Sequence, residues 1–330
     1  MNRVGLPATD FTHRNLGEII DGRFILICHS SFEPRAEAIL KLNFNNSALV
    51  TSLILATEES LLKPSYKERT DRLVNGLGTY AESKPRLISD KRASRIDWIR
   101  KLDLFFAEEG IDSLTAIVVD ITAFPRDRMW YVLDYLKKLR PARRIHIIYT
   151  EPKKYSTEMK ADGWLTRGVR NICAIPGFNG FQHTEKKSLL VLMVGHEYER
   201  AHITIKNTEP QKVVLLGQGL EQYRSDCPRL SDEVLVRIGK EFNSIVDLAF
   251  AAEINSRDYL STRNTIDEIV NRYSSEFNLS IATFGTKLQS LGAFLACKEH
   301  RKIRAIYAEP QKYNDEDYSL DTGASWHVEI

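Results

Sequence analysis

Four basic residues stand where an anion would be held. Arg35, Arg126, Arg200 and Lys287 each follow an apolar run and open a helical pattern. A cation at a helix N-terminus opposes the macrodipole and is locally unfavourable. An anion held jointly by backbone N–H groups and the cation would reverse that sign. Ser31, Thr122 and Thr286 add hydroxyl donors, and Gly285 permits close backbone approach. The alternative is a structural ion pair: Arg35 with Glu33, and Arg200 with Glu197 or Glu199.

Glu151 and Glu309 follow strand ends and precede Pro152 and Pro310, which are expected to fix a turn. They can accept hydrogen bonds from a ribose or an amine, cap a neighbouring helix, or pair with Lys154 and Lys312. Tyr155 and Tyr313 can stack on a base or pack onto the sheet end. Either His29 or His196 can serve as a general base. Neither has an adjacent nucleophile and carboxylate that would make a triad legible. No His/Asp/Glu cluster has metal spacing, and no cofactor is expected. The Walker pattern Gly-x-x-x-x-Gly-Lys-Ser/Thr is absent. Gly217-Gln218-Gly219 follows a strand but lacks the third glycine of a dinucleotide fingerprint.

These residues recur in a repeated frame. Residues 148–156 read Ile-Tyr-Thr-Glu-Pro-Lys-Lys-Tyr-Ser, and 306–314 read Ile-Tyr-Ala-Glu-Pro-Gln-Lys-Tyr-Asn. Upstream, residues 116–126 parallel 279–287: an apolar strand, a Thr, a tight turn, a basic residue and a helix. Further upstream, Phe32-Glu33-Pro34-Arg35-Ala36 parallels Tyr198-Glu199-Arg200-Ala201 once Pro34 is treated as an insertion. Three units in one order at a nearly constant offset argue for a duplicated domain.

The elements that position these motifs alternate. Phe24–Cys28, Leu49–Leu55, Ile117–Ile121, Arg144–Tyr149 and Asn171–Ile175 read as strands of a first half. Ser188–Val194, Lys212–Leu216, Leu279–Thr283 and Ile303–Ala308 read as strands of a second. Between them lie amphipathic stripes: Ile96, Ile99, Leu102 and Phe105, ending at Gly110; Met129, Trp130, Leu133 and Leu136; Val234, Leu235, Ile238 and Phe242; Ile266, Ile269 and Val270; Leu288, Leu291 and Leu295. Residues 60–93 read as a helix and an excursion, and the tail at Trp326–Val328 as a short edge strand. The expectation is an α/β protein of two tandemly duplicated Rossmann-like halves, 1–180 and 181–330. Mainly parallel sheets and a pseudo-two-fold axis are expected. Ligands of such sheets bind beyond the carboxyl ends of the strands, where every repeated motif lies.

Composition excludes several classes. The 330 residues are 43% hydrophobic and 27% charged, with 46 basic and 44 acidic residues, so nothing global draws the chain to nucleic acid or membrane. The basic stretch Lys84, Arg86, Lys91, Arg92, Arg95, Arg100 and Lys101 reads as a solvated face. Cys28, Cys173, Cys227 and Cys297 form no Cys-x-x-Cys pair, and Cys28 reads as a core filler. The N-terminus lacks a signal-like segment and no run is long enough to span a membrane, so a cytoplasmic protein is expected.

The segment Ser280-Ile-Ala-Thr-Phe-Gly-Thr-Lys287, with the helix it opens at Leu288-Gln289-Ser290-Leu291-Gly292-Ala293, resembles a signature of CRISPR-associated Rossmann-fold (CARF) sensor domains. There a strand ending in Asn/Thr-x-Gly-Gly-Thr-Lys opens onto a helix with small residues. Phe284 stands where the family usually has Gly, and Thr122-Ala-Phe-Pro-Arg126 has neither the glycine nor the lysine. Two such halves in one chain also look like the fused arrangement of SAVED sensors. The resemblance implies recognition of a nucleotide or cyclic oligonucleotide across a two-fold groove, in antiviral defence, with a separate effector protein as partner. Two readings compete with such a sensor. One is a hydrolase or transferase acting on a nucleotide or phosphorylated substrate. The other is a structural subunit of a defence complex.

Overall fold

The computed structural model describes residues 8–10, 16–20, 22–42, 49–90, 95–109, 115–139, 144–160, 162–218 and 230–330. Lys91, Arg92, Gly110, Gly219 and Cys227 lie outside them. The chain forms two compact units, Met1–Lys153 with Ser319–Ile330, and Lys154–Tyr318. That division falls inside a strand, ahead of the 180/181 boundary read from sequence.

The first unit runs β1 (Thr9–Asp10), β2 (Phe24–His29), a 3-10 helix (Pro34–Lys41), β3 (Leu49–Thr57), α1 (Glu58–Leu61), α2 (Pro64–Gly78), β4 (Arg86–Asp90), α3 (Arg95–Glu108), β5 (Ala116–Asp120), α4 (Arg126–Leu139) and β6 (Ile145–Tyr155). The second runs α5 (Ser156–Met159), β7 (Thr166–Ala174), β8 (Lys187–Met193), α6 (Tyr198–Thr208), β9 (Lys212–Gln218), α7 (Leu230–Phe242), β10 (Asp247–Ile254), α8 (Tyr259–Tyr273), β11 (Phe277–Thr283), α9 (Lys287–Glu299) and β12 (Arg304–Tyr313). The last strand, β13 (Ser319–Glu329), belongs to the first sheet.

The architecture is α/β with two mainly parallel sheets. The first is ordered β1-β13-β6-β5-β2-β3-β4 and the second β10-β9-β8-β11-β12-β7. Read from the inside, each contains five parallel strands in the order third-second-first-fourth-fifth. That is the Rossmann order. An antiparallel strand then covers each fifth strand. β7 pairs β12 from Ile306↔Ala174 to Tyr313↔Thr166. β13 lies beside β6, where Ile145 and Ile330 exchange both backbone hydrogen bonds.

Sequence explains the interior strands. All six residues of β2 are buried, as a strand covered on both faces requires. In the first core, Leu26, Ile54, Val118 and Ile148 from the sheet meet Ile39, Leu73 and Leu77 from the helices. In the second, Leu192, Leu215, Ala282 and Ile306 meet Ala201, Ile205, Ile238 and Phe242. Cys28 is 1% exposed within β2, and burial raises its thiol pKa.

Three expectations differ from the structure. The edge strands β4 and β10 were not expected, because β4 is short with charged ends and β10 is alanine-rich. Glu151 and Glu309 do not end strands: β6 continues to Tyr155 and β12 to Tyr313. Pro310 is accommodated at a register shift between Glu309 and Pro310, a place where a missing N–H is tolerated. The tail forms an eleven-residue strand rather than a short one.

Candidate functional site

In the second sheet the chain turns to opposite sides after β8 and β11, which makes their carboxyl ends the topological switch point. The strand ends are locked together there. The Phe284 N–H donates to the Met193 carbonyl at 2.9 Å, and the Val194 N–H donates to Leu216 at 2.9 Å. Gly195 follows, and a Cβ on it would collide with the Phe284 carbonyl oxygen.

Gly285, Thr286 and Lys287 form the junction between β11 and α9. Thr286 is the N-cap of α9: its hydroxyl accepts from the Gln289 N–H at 3.2 Å, while the Gln289 side chain accepts from the Thr286 N–H at 2.8 Å. This reciprocal capping box satisfies two orphan donors. The Thr286 hydroxyl also donates to Ser256 O at 2.5 Å, and Gln289 Nε2 donates to Ile254 O at 3.2 Å. A Cβ on Gly285 would meet the Gln289 side-chain oxygen, so the glycine leaves room for this capping box as it stands. Lys287 is the first residue of α9, half-buried, in a first turn that contains no acidic residue.

Arg200 sits behind this junction and is 3% exposed. Nη1 donates to Glu197 at 2.8 Å, and Nε and Nη2 donate to the Ala308 carbonyl at 3.2 and 2.6 Å. Its guanidinium also lies over the Phe284 ring, 5.0 Å from the centroid. Burial opposes its charge most strongly, but Glu197 together with Tyr307, Tyr313 and Tyr318 outweighs it, so its pKa is raised. The first unit contains the same device. Arg35, also 3% exposed, pairs with Glu33, Nε donating at 2.9 Å, and Nη1 donates to the Thr150 carbonyl at 2.8 Å. Both guanidiniums thus tie the first strand–helix junction to the fifth strand. Glu151 and Glu309, both half-buried, are the next residues along those strands.

In the first unit Thr122 is fully buried. Its hydroxyl accepts from the Thr150 N–H at 2.8 Å, and its own N–H donates to Asp120 at 3.0 Å. Ser31 is half-buried and accepts from the Glu33 N–H at 3.4 Å. Arg126 is the first residue of α4, the same place that Lys287 takes in α9. The structure therefore gathers Arg35, Thr122 and Glu151 around Thr150, and Arg126 opens the helix after β5.

The two histidines separate. His29 is 5% exposed, stacked on Trp98 and tilted against Phe124. His196 is half-buried at the end of β8, 3.3 Å from the Thr157 hydroxyl and edge-on to Tyr155. Burial lowers its pKa, with Glu158 and Glu197 opposing. Tyr155 also contacts Tyr318, and Tyr318 meets Tyr313. These phenols and the imidazole make an aromatic cluster at the carboxyl end of β12.

One group was not anticipated. A cleft of about 710 Å³ in the second unit is lined by Trp164, Arg167, Tyr198, His202, Arg237 and Glu241 among others, and of the residues singled out in the sequence Arg200 and His196 reach it. Its signal in the sequence is the i,i+4 pair Tyr198 and His202, which a helix puts on one face. Among the described residues no group of three or more His, Cys, Asp or Glu is placed to hold a metal ion, and no helix is long and apolar enough to cross a membrane.

A family model described as HFX_2341_N:-like, N-terminal, matches residues 189–313, from β8 to the end of β12. No curated protein matches the chain. Solved structures are similar in part. A type III CRISPR defence DNA nuclease activated by cyclic oligoadenylate aligns over 86% of this chain and 65% of its own, with 8% identity and a TM-score of 0.50. Can2 from Sulfobacillus thermosulfidooxidans, in complex with cyclic tetra-adenylate (cA4), aligns over 41% of this chain and 37% of its own, with 19% identity and a TM-score of 0.30. A multidomain structure of a keto acid-selecting NRPS module aligns over 84% of this chain and 27% of its own, with 12% identity and a TM-score of 0.22. This chain spans less than two thirds of the length of each. The likeness to the nuclease is one of fold.

Proposed function

We propose that this chain is a ligand-sensing module for a nucleotide-type anion, bound at the strand–helix junctions of its Rossmann-like halves. The observation that carries the reading is Lys287 at the first position of α9, beside Gly285 at the switch point. A lysine there opposes the helix dipole, and an anion bound at the same helix start is favoured by both the lysine and the dipole. Arg126 takes the equivalent place in the first half, and the matching strand orders support an internal duplication. On this reading Arg35 and Arg200 hold the junctions in shape, and Tyr155 and Tyr313 offer ring faces to a base.

The nuclease that shares the fold is activated by cyclic oligoadenylate, so cyclic oligoadenylates head the list of ligands to try. A role in antiviral defence and a separate effector partner belong to the same proposal, as does a cytoplasmic setting. The test is calorimetric titration of the whole chain with linear nucleotides and cyclic oligoadenylates, on wild type and on Lys287→Gln. Loss of one charge-assisted contact is expected to weaken binding roughly tenfold to a hundredfold. Unchanged affinity in the variant would remove Lys287 from the site. No binding at millimolar concentration would leave the enzyme or scaffold reading in its place.

A further inference from the structure

We infer that the cleft beside α6 is a second ligand site, distinct from the β11–α9 junction, for a phosphate monoester held by Arg167 and Arg237. Its volume of about 710 Å³ lies within the range of small-molecule sites.

The charges around it balance, three arginines against three glutamates, so net charge does not select the ligand. What selects it is which charges are already engaged. Glu197 accepts from Arg200 at 2.8 Å and from the Thr166 hydroxyl. Glu199 accepts from the Gly168 N–H at 3.1 Å. Glu241 accepts from the Tyr198 hydroxyl and meets His202 Nδ1 at 3.0 Å.

The two exposed arginines are placed differently. Arg167 lies over the Trp164 ring at 4.6 Å, and Arg237 over the Tyr198 ring at 3.6 Å. Among the described residues neither forms an ion pair with a carboxylate. Arg237 also hydrogen-bonds the Tyr198 hydroxyl, and a guanidinium held over a ring still carries several N–H donors in a planar fork. Rotamer freedom is thus already reduced before a ligand arrives, which lowers the cost of binding. Two such forks on one cleft ask for more acceptors than the two oxygens of a carboxylate. A phosphate monoester brings three terminal oxygens and close to two charges. The source can be free orthophosphate or the terminal phosphate of a nucleotide.

The experiment is titration of the whole chain with orthophosphate and, separately, with adenosine 5′-monophosphate at neutral pH. It is repeated on Arg167→Gln, Arg237→Gln and the double variant, and on the same set carrying Lys287→Gln. Each single substitution is expected to weaken binding roughly tenfold, and the double to abolish it. In the chains carrying Lys287→Gln, whose junction is weakened, the arginine substitutions are expected to cause the same losses, which separates this site from the junction. Binding of the nucleotide but not of orthophosphate supports the site and names the nucleotide as its ligand class. Two results would overturn the inference: neither probe binding at millimolar concentration, or affinity in the Lys287→Gln chain surviving the double substitution. Thermal unfolding of each variant accompanies the titrations. The arginines are exposed, so an unchanged midpoint is expected, and a binding loss with an unchanged midpoint is loss of contact.

Discussion

Gly195 and Phe284 share one place in the gap where β8 and β11 diverge. A Cβ on Gly195 would collide with the Phe284 carbonyl oxygen, while the Phe284 N–H donates to the neighbouring Met193 carbonyl at 2.9 Å. The turn that presents Gly285, Thr286 and Lys287 is therefore seated against a glycine on another strand. This is contact between backbones, so no side chain can rotate away to relieve an insertion there.

Gly195→Ala is expected to destabilise the second unit by about 1–3 kcal/mol, the cost of overpacking a rigid site. Gly239→Ala supplies the control. It lies inside α7 with open space at its Cβ, and is expected to stabilise by roughly 0.5–1 kcal/mol. Urea unfolding of both variants checks the pair. A neutral Gly195→Ala would mean that the junction is not held against β8.

Arg200 and Lys287 are both basic and lie near the same junction, but their substitutions should separate. Arg200→Gln strands Glu197, which is only 9% exposed, without its charge partner. Breaking a buried pair costs about 3–5 kcal/mol. Lys287→Gln, at a half-buried helix start, should change stability by less than about 0.5 kcal/mol. Equal losses in thermal unfolding would contradict this division of roles. Arg35→Gln should behave like Arg200→Gln, since Arg35 is buried with Glu33 in the same arrangement.

The parts legible in the sequence were those with strong local signals. Ile148 and Ile306 announced buried strands because the phrase around them repeats and is apolar, and both lie in interior strands. Arg126 and Lys287 fell at helix starts as their turn residues implied. Glu33 and Glu197 were legible as partners for Arg35 and Arg200, but sequence could not choose between pairing and ligand contact. The carbonyls of Thr150 and Ala308 that complete those sites are distant in sequence and are brought close only by sheet order. Pro152 and Pro310 misled, because a proline after a strand usually signals a turn, whereas here both strands continue. The strand pairings of β7 and β13 are also non-local, and no periodicity encodes which sheet a strand joins.

Ile148→Ala and Ile306→Ala should each cost about 2–5 kcal/mol, as for other large-to-small core changes. Ile148 is 1% exposed and Ile306 6%, and each packs in the core of its own unit. Chemical denaturation monitored by tryptophan fluorescence gives the values. Losses under about 0.5 kcal/mol at both positions would place them on a surface and contradict the strand assignment.

His146 and His327 are expected to make the first unit sensitive to acid. Their rings stack at 5.3 Å, with His146 Nδ1 and His327 Nε2 3.1 Å apart, and both are buried. Burial, and then the neighbouring imidazole, push the His327 pKa down from 6.5 to about 4. The His146 pKa is lowered as well, by burial first, with Glu329 opposing and Arg144 adding. Between those limits the unfolded chain binds protons that the folded chain refuses, so stability rises with pH. The contribution is complete above the unfolded value of 6.5 and is lost as pH falls towards 4. For His327 alone the loss between about pH 7 and pH 5 amounts to roughly 2 kcal/mol. Other carboxylates and histidines also titrate in this range, so the readout is the difference between wild type and His327→Gln. A glutamine there can still bond a neutral His146 but has no proton to gain. Urea unfolding at both pH values should show a pH-dependent loss smaller by about 2 kcal/mol in the variant. Parallel losses in the two proteins would mean that the histidine pair is protonated without penalty, and that the acid sensitivity of this unit comes from other groups.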